Sequence, residues 1–431
     1  MKYSGACMVI DGGASVDLAK ALVPSFDKVY YFSEWTQGGF PHSRNYQVGV
    51  GIEGVERVSN LDEYILKNII AKENGEELPI SLWIFCDVYG ADKQALLEHL
   101  GFNVFGSRYA DELELNREGL KDLLKRIGLP VGKYKVLKGL DEVAKYLKTH
   151  EDQYIKLSRF RGDAESFHAD NFKDRENYLD SLKTDLGIMG KEMNFISEDA
   201  LPDCVEIGLD LQTVNGKYPE IVMGGCEIKD AGYCSIIKPY KDFPEEVTIV
   251  TDKLSDVFRH FGYKGAFSDE IRIGKDKVPY LIDITARMPY PPTFTQLFAY
   301  TNIAEIFMET AKGNLVNPVH EFKYYCELII KSSWAKKNEQ YIEVPKGYEE
   351  HFFFKNYTIV NGEMYILPHQ IGMEEIGSVV AGGNTIEEAF AQVEKIGKEL
   401  KGSEIHIPFD KIDAMRQEIV QMKKFKVNIF E

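Results

Sequence analysis

The first hundred residues alternate strand and helix, and this repeated order constrains the fold more than any other feature of the chain. Ala6–Ile10 is an apolar run, Gly12-Gly13 supplies a turn, Val16–Leu22 has helical spacing, and Val29–Phe32 is a second apolar run. Pro24 lies between that helix and the second strand as a stop signal. A third strand over Leu82–Cys86, a helix around Lys93–Leu100 and a short strand Asn103–Phe105 continue the series. Such alternation predicts a parallel sheet with helices on its faces, an α/β unit.

Beyond it the pattern changes twice. A charged amphipathic helix is expected from Glu112 to Ile127, closed by Gly128-Leu-Pro130. Strands at Lys135–Leu137 and Tyr154–Leu157 flank a helix at Leu140–Lys148. Val205–Val214 and Glu220–Ile228 alternate and meet at Asn215-Gly216, a strong hairpin signal. After a helix near Val247–Phe261, the strands Gly265–Ile273 and Val278–Ile284 are joined through Gly274-Lys-Asp276. Residues 324–431 mix β-rich stretches (Cys326–Ser332, His351–Ile359, Glu363–Ile366) with a helix at Thr385–Leu400, an α+β pattern. A length of 431 residues suggests about three domains.

A net charge of −17 argues against a broad nucleic-acid or anionic-membrane surface, since both need an extended positive field. Six scattered cysteines with no C-x-x-C pair read as reduced, buried small hydrophobes. The N-terminal apolar run is too short for a signal peptide, and no segment approaches about 18 consecutive apolar residues. The expectation is a soluble, cytoplasmic protein without nucleic-acid or membrane partners. The histidines, His42, His168 and His369 among them, show no metal spacing and no nucleophilic triad.

The stretch 102–137, FNVFGSRYADELELNREGLKDLLKRIGLPVGKYKVL, resembles the entry to the core of the ATP-grasp ligases, in particular phosphoribosylamine–glycine ligase. The resemblance puts Arg117 where that family carries its first nucleotide-binding lysine, with Lys121 one turn later. Arginine there exchanges a compact point charge for a planar fork. In QYIKLSRFRGDAESF (153–167), Lys156 matches a strand lysine that reaches the α- and β-phosphates. The loop after it is glycine-rich in the family; here only Gly162 remains, flanked by Arg159 and Arg161. Two guanidiniums can replace part of a backbone N–H cradle through charge-assisted bonds to phosphate. A solvated charged loop is the plain structural alternative.

GYKGAFSDEIRIGKDKVPYLIDITAR (262–287) resembles the two metal-bearing strands of the same enzymes. By that likeness Glu270 and Asp283 are paired carboxylates for Mg²⁺ (or Mn²⁺), Thr285 replaces a family Asn, and Arg287 stabilises an acyl phosphate. Magnesium requires hard oxygen ligands and takes one or two carboxylates per site. Independently, strand alternation puts Asp283, Thr285 and Arg287 on one face while Ile282 and Ile284 point into the core. In Val205–Asp210, Glu206 and Asp210 are both candidates for a ribose contact. Gly12 and Gly13 resemble a turn that holds the amine substrate, and the polar loop Trp35–Tyr46 offers Arg44 as a further substrate contact.

The C-terminal segments IEVPKGYEEHFFFKNYTIVNGEMY and GSVVAGGNTIEEAFAQVEKIGKEL extend the resemblance over most of the chain. It implies a Rossmann-like pre-ATP-grasp domain (1–108), a two-lobed ATP-grasp core (109–318, with a small lid lobe near 150–203) and a C-terminal α+β domain (319–431). It also implies an ATP-dependent carboxylate–amine ligase with ATP and Mg²⁺ as cofactors, cytoplasmic, monomeric or homodimeric, with a place in purine biosynthesis if its substrates are the family's. Where the family carries an acceptor-side GPNTGGMG segment this chain reads GGCEIKDAGYCSIIKP, and the family's His-Ala-Gly-Thr stretch is missing. The substrates are thus an amino acid and an amine, phosphoribosylamine or another pair. A protein that binds nucleotide without turnover is the alternative of a different class.

Overall fold

Apolar runs buried on both sides build the first sheet. β1 (Tyr3–Asp11), β2 (Phe26–Ser33), β3 (Val55–Val58), β4 (Ile80–Phe85) and β5 (Val104–Phe105) pair in parallel in the order β3-β2-β1-β4-β5. Cys7 and Val9 face the helix Val16–Leu22 and the main core. Met8, Ile10 and Trp83 face Leu61, Ile65 and Leu97 from the helices Leu61–Glu73 and Ala91–His99. Burial on both faces is why β1 and β4 read as continuous apolar stretches rather than alternating ones. The computed structural model describes residues 2–33, 47–158, 166–368 and 373–431.

A small antiparallel sheet follows, with β6 (Tyr134–Lys138), β7 (Gln153–Leu157), β8 (Ser166–Ala169) and β9 (Asn194–Asp199) in the order β6-β9-β7-β8. Its own core joins Leu137, Val143, Ile155 and Phe195 to the helices Gly139–Leu147 and Phe172–Leu186. The largest sheet begins with β10 (Val205–Val214), β11 (Ile221–Ile228), β12 (Gly232–Pro239), β13 (Lys264–Ile273) and β14 (Pro279–Thr285). It continues through β15 (Tyr324–Ser332) into the C-terminal part of the chain. There the strands are β16 (Gln340–Ile342), β17 (Phe352–Phe354), β18 (Tyr357–Val360), β19 (Glu363–Ile366), β20 (Glu375–Gly383) and β21 (Ile405–His406). The order across the large sheet is β14-β13-β10-β11-β12-β15-β20-β17, with β21 on β15, while β16, β19 and β18 form a separate small sheet.

Local chemistry explains where the chain turns and where it departs from the sequence reading. Asn215 and Gly216 both have positive φ, 52° and 77°, as a two-residue hairpin turn requires. The helix expected over Glu112–Ile127 is two helices, Glu112–Leu115 and Arg117–Arg126. Asn116 breaks it because its side chain accepts the Gly119 N–H and caps the second helix instead of continuing the first. The stretch His351–Ile359 is likewise divided: Asn356 has φ 53°, and β17 and β18 on either side of it join different sheets. Thr385 and Glu388 form a capping box that starts the helix Ile386–Gly397. No helix among the described residues is long and apolar enough to cross a membrane.

Buried polar groups fasten the first sheet to the rest. Asp17 accepts the Phe354 N–H at 2.6 Å and the Tyr357 hydroxyl at 2.8 Å, and the Asn356 N–H reaches the Gly13 carbonyl at 2.9 Å. On the opposite side Arg108, only 3% exposed, donates to the carbonyls of Val104, Gly106 and Lys264 and pairs with Glu98 at 2.9 Å. Arg108→Met keeps the volume but leaves Glu98 with Lys264 alone and takes a donor from three carbonyls, and should cost about 3 kcal/mol. Thermal unfolding checks this: a clearly lower melting temperature is expected, only partly recovered in Arg108→Lys, and an unchanged one would refute the account.

Candidate functional site

The site lies where the helix Arg117–Arg126, the small sheet and the edge of the large sheet converge. Glu270 and Asp283 are register partners on β13 and β14, so their carboxylates stand side by side on one face. Arg117 Nη1 donates to both oxygens of Asp283, at 3.1 and 3.0 Å. Lys156, near the end of β7, reaches out of the small sheet and donates to the Ile282 carbonyl at 2.7 Å. Its Nζ also lies 3.6 Å from Glu198, which accepts from Lys121 at 3.0 Å. Three cations and two carboxylates thus alternate across the junction between the lobes.

The charges respond to one another. Burial alone would push the Asp283 carboxyl up, but Arg117 and then Lys156 outweigh it and hold the group at about 2. Glu270 moves the other way: burial, followed by the charges of Glu206, Asp283 and Glu227, drives it well above the usual carboxylate range. It has no hydrogen-bond or ion-pair partner among the described residues. A carboxylate in that condition is relieved by an arriving cation, and the hard oxygens of Glu270 and Asp283 suit Mg²⁺.

A second centre lies at the C-terminal ends of β1 and β4, where the strand order reverses, the usual place for a ligand in a parallel sheet. The turn Gly12-Gly13 is held by Asp11, which accepts from Gly13 N (3.0 Å), Ser15 N (2.9 Å) and the Tyr31 hydroxyl (2.6 Å). A Cβ on Gly12 would lie 3.2 Å from the Asp87 carbonyl oxygen, so only glycine fits without displacement. Arg287 spans the gap to this turn. It pairs with Asp87 at 3.0 Å and with Glu114 at 2.9 Å, and the Ala286 N–H also donates to Glu114. Arg287 therefore does not extend the strand face as its spacing suggests. β14 ends at Thr285, because Glu114 rather than a neighbouring strand takes the next backbone donor.

No family model matches the sequence, and no curated protein sequence does. Solved structures match along nearly the whole chain. Phosphoribosylamine–glycine ligase from Thermotoga maritima is 13% identical with a TM-score of 0.69, over 95% of this chain and 100% of that one. The biotin carboxylase domain of 2-oxoglutarate carboxylase from Hydrogenobacter thermophilus is 14% identical with a TM-score of 0.63, over 96% and 94%. Biotin carboxylase from Campylobacter jejuni gives 14% and 0.62, over 96% and 95%. The chain has the ATP-grasp fold.

Within this ATP-grasp fold the structure brings Arg117, Lys156, Glu270 and Asp283 together and puts Thr285 opposite Ser268 on the same strand pair. Glu206 is tied to Arg272 at 3.0 Å, and Asp210, 1% exposed, binds the Tyr233 hydroxyl. Arg44, Arg159, Arg161 and Gly162 lie outside the described residues. Sequence reasoning missed Glu198, Glu114 and Asp87. The only local signal was an acid three residues before Arg117 and another after the strand Leu82–Cys86. It also missed a cluster on the small sheet, where His168 meets Asp152 at 2.7 Å and Asp170 at 3.5 Å.

The lowered Asp283 group gives a pH signature. Its folded value lies below the ordinary aspartate value, so its ion pairs add stability above that ordinary value and lose it as pH falls toward 2. Asp283→Asn, measured with a chelator present, should melt below the wild type at pH 6. The gap should narrow as pH falls from about 4 toward 2. A gap that stays constant across that range would mean the carboxylate is not held by Arg117 and Lys156.

Proposed function

We propose that the protein is an ATP-dependent carboxylate–amine ligase. The observation that carries this reading is Lys156 reaching from the small sheet to the Ile282 carbonyl, beside a carboxylate pair that faces it from the large sheet. That arrangement gives a triphosphate cations on one side and a metal-binding pair on the other.

In this reading Lys156 and Arg117 bind phosphate oxygens, Arg117 in the planar fork geometry that suits them. Glu270 and Asp283 hold Mg²⁺, with Thr285 beside them, and the metal when bound offsets charge on the β- and γ-phosphates. Glu206 or Asp210 contacts the ribose. The substrate carboxylate attacks the γ-phosphorus and ADP leaves; the amine nitrogen then attacks the acyl carbon and phosphate leaves. Arg287, kept cationic by Asp87 and Glu114, stabilises charge that develops on the acyl phosphate. The carboxylate and amine enter beside Gly12 and Gly13, at the ends of β1 and β4.

The test is ADP release from Mg-ATP with an amino acid and an amine, each omitted in turn, starting with glycine and phosphoribosylamine generated in situ. ADP that requires both partners supports the ligase. Glu270→Gln combined with Asp283→Asn should abolish turnover, a loss of about a thousandfold or more if the pair holds the metal. Full activity in the double variant would refute the metal assignment. One observation favours a second reading: Arg117 already occupies both oxygens of Asp283, as suits a protein that binds nucleotide without turning it over. ATP binding without ADP from any amine would select it.

A further inference from the structure

The sheet face that carries Glu270 continues past it into an acidic pocket. Gly208 and Gly225 are directly paired on β10 and β11 and leave its floor without side chains. Around them stand Glu206, Asp210, Glu227 and Glu270, with Tyr233 and Tyr290 as walls. Glu206 has Arg272 as its partner, and one oxygen of Asp210 has Tyr233. The other oxygen, Asp210 Oδ1, has no hydrogen-bond partner although the residue is only 1% exposed. Glu227, on β11, is half-buried and has no hydrogen bond or ion pair among the described residues.

An arriving group must supply the missing positive charge. The described cations nearby are committed: Lys156 to Glu198 and the Ile282 carbonyl, Arg272 to Glu206, Lys355 to Glu375, Arg287 to Asp87 and Glu114. Half-burying a carboxylate beside three others costs free energy until a cation pairs with it. Consistent with this, burial and the neighbouring acids push Glu227 up to about 8. No three of these carboxylates bring ligand atoms within 4.8 Å of one another, so beyond the Glu270–Asp283 pair they form no cage for a bare divalent ion. Among the described residues the one group of three such ligand atoms within 4.8 Å is Asp152, His168 and Asp170, on the small sheet. An ammonium group, which needs only hydrogen-bond acceptors around it, suits the spacing better.

We propose that this pocket binds the ammonium group of the amine substrate, with Glu227 as its counter-ion, leaving Glu206 for the ribose and Glu270 for Mg²⁺, and that this substrate is a basic amine without phosphate. The binding site stands on the pocket itself; that the bound amine is a substrate rests on the ligase reading above. A phosphorylated sugar amine would bring two negative charges to a lining of acids with no uncommitted cation among the described residues, which discriminates against it. Glu227 acts here as a specificity-determining residue.

Calorimetric titration with 1,3-diaminopropane and with ribose 5-phosphate tests the proposal, with and without a Mg²⁺-bound non-hydrolysable ATP analogue. The diamine should bind and ribose 5-phosphate should not. Glu227→Gln should weaken the diamine by about tenfold or more, with analogue affinity unchanged and melting temperature not lowered, and Glu227→Asp should recover part of the loss. Ribose 5-phosphate binding more tightly than the diamine would overturn the proposal, as would no diamine binding or equal affinity in Glu227→Gln. Displacement of the diamine by Mn²⁺ alone would overturn it too, by making the cluster a second metal site. ADP release followed in parallel separates the two readings. Absent ADP with Glu227-dependent diamine binding counts against the ligase, whereas failure of the pocket appears in the titration itself.

Discussion

A row of carboxylates on a sheet face stays folded only where cations from other elements close over it, and this constraint organises the junction at β14. Asp283 is the pivot. Arg117 arrives from a helix upstream of the small sheet, Lys156 from the small sheet itself, and both act on a strand more than a hundred residues later in the chain. Because desolvating these groups is costly, the lobes gain from the junction only if the partners meet together. Glu198 completes the set by lying between Lys121 and Lys156, so that like charges do not face each other without an intervening acid.

The same logic links the parallel sheet to this junction. Arg287 leaves the end of β14, takes Glu114 and Asp87, and so fixes the Gly12 turn next to β13 and β14. The acids that serve this purpose are already paired. Glu227 and Glu270 have no such partner among the described residues, and it is at these two positions that the site has acid groups to offer a ligand.

The sequence is informative where chemistry and local period coincide. Strand alternation placed Glu270 and Asp283 on their strands, and the Asn-Gly pair marked the hairpin between β10 and β11. The continuous apolar runs of β1 and β4 predicted a sheet covered on both sides. Much else is set by distance along the chain. Arg117 meets Asp283 across 166 positions and Arg287 meets Asp87 across 200, pairings that no local pattern encodes. Asn116 looked like one more polar position in a helix, yet its side chain competes with the backbone and ends that helix. β3 and β12 were missed for a related reason. Val-Glu-Arg-Val is short and half charged, and Gly232–Pro239 follows a glycine-rich strand whose neighbours are known only from the tertiary pairing.

The large sheet runs without interruption from β14 to β17, and β12 pairs with β15 over Gly232–Ile236. The chain between them passes residue 318, where the family resemblance implies a domain boundary. Severing it there would leave two rows of bare backbone donors and acceptors, each a template for pairing with another molecule. The C-terminal region is therefore no exchangeable module. Recombination that shuffles it between relatives must carry a matching strand pair across the cut, or yield a chain prone to aggregate before it can bind anything.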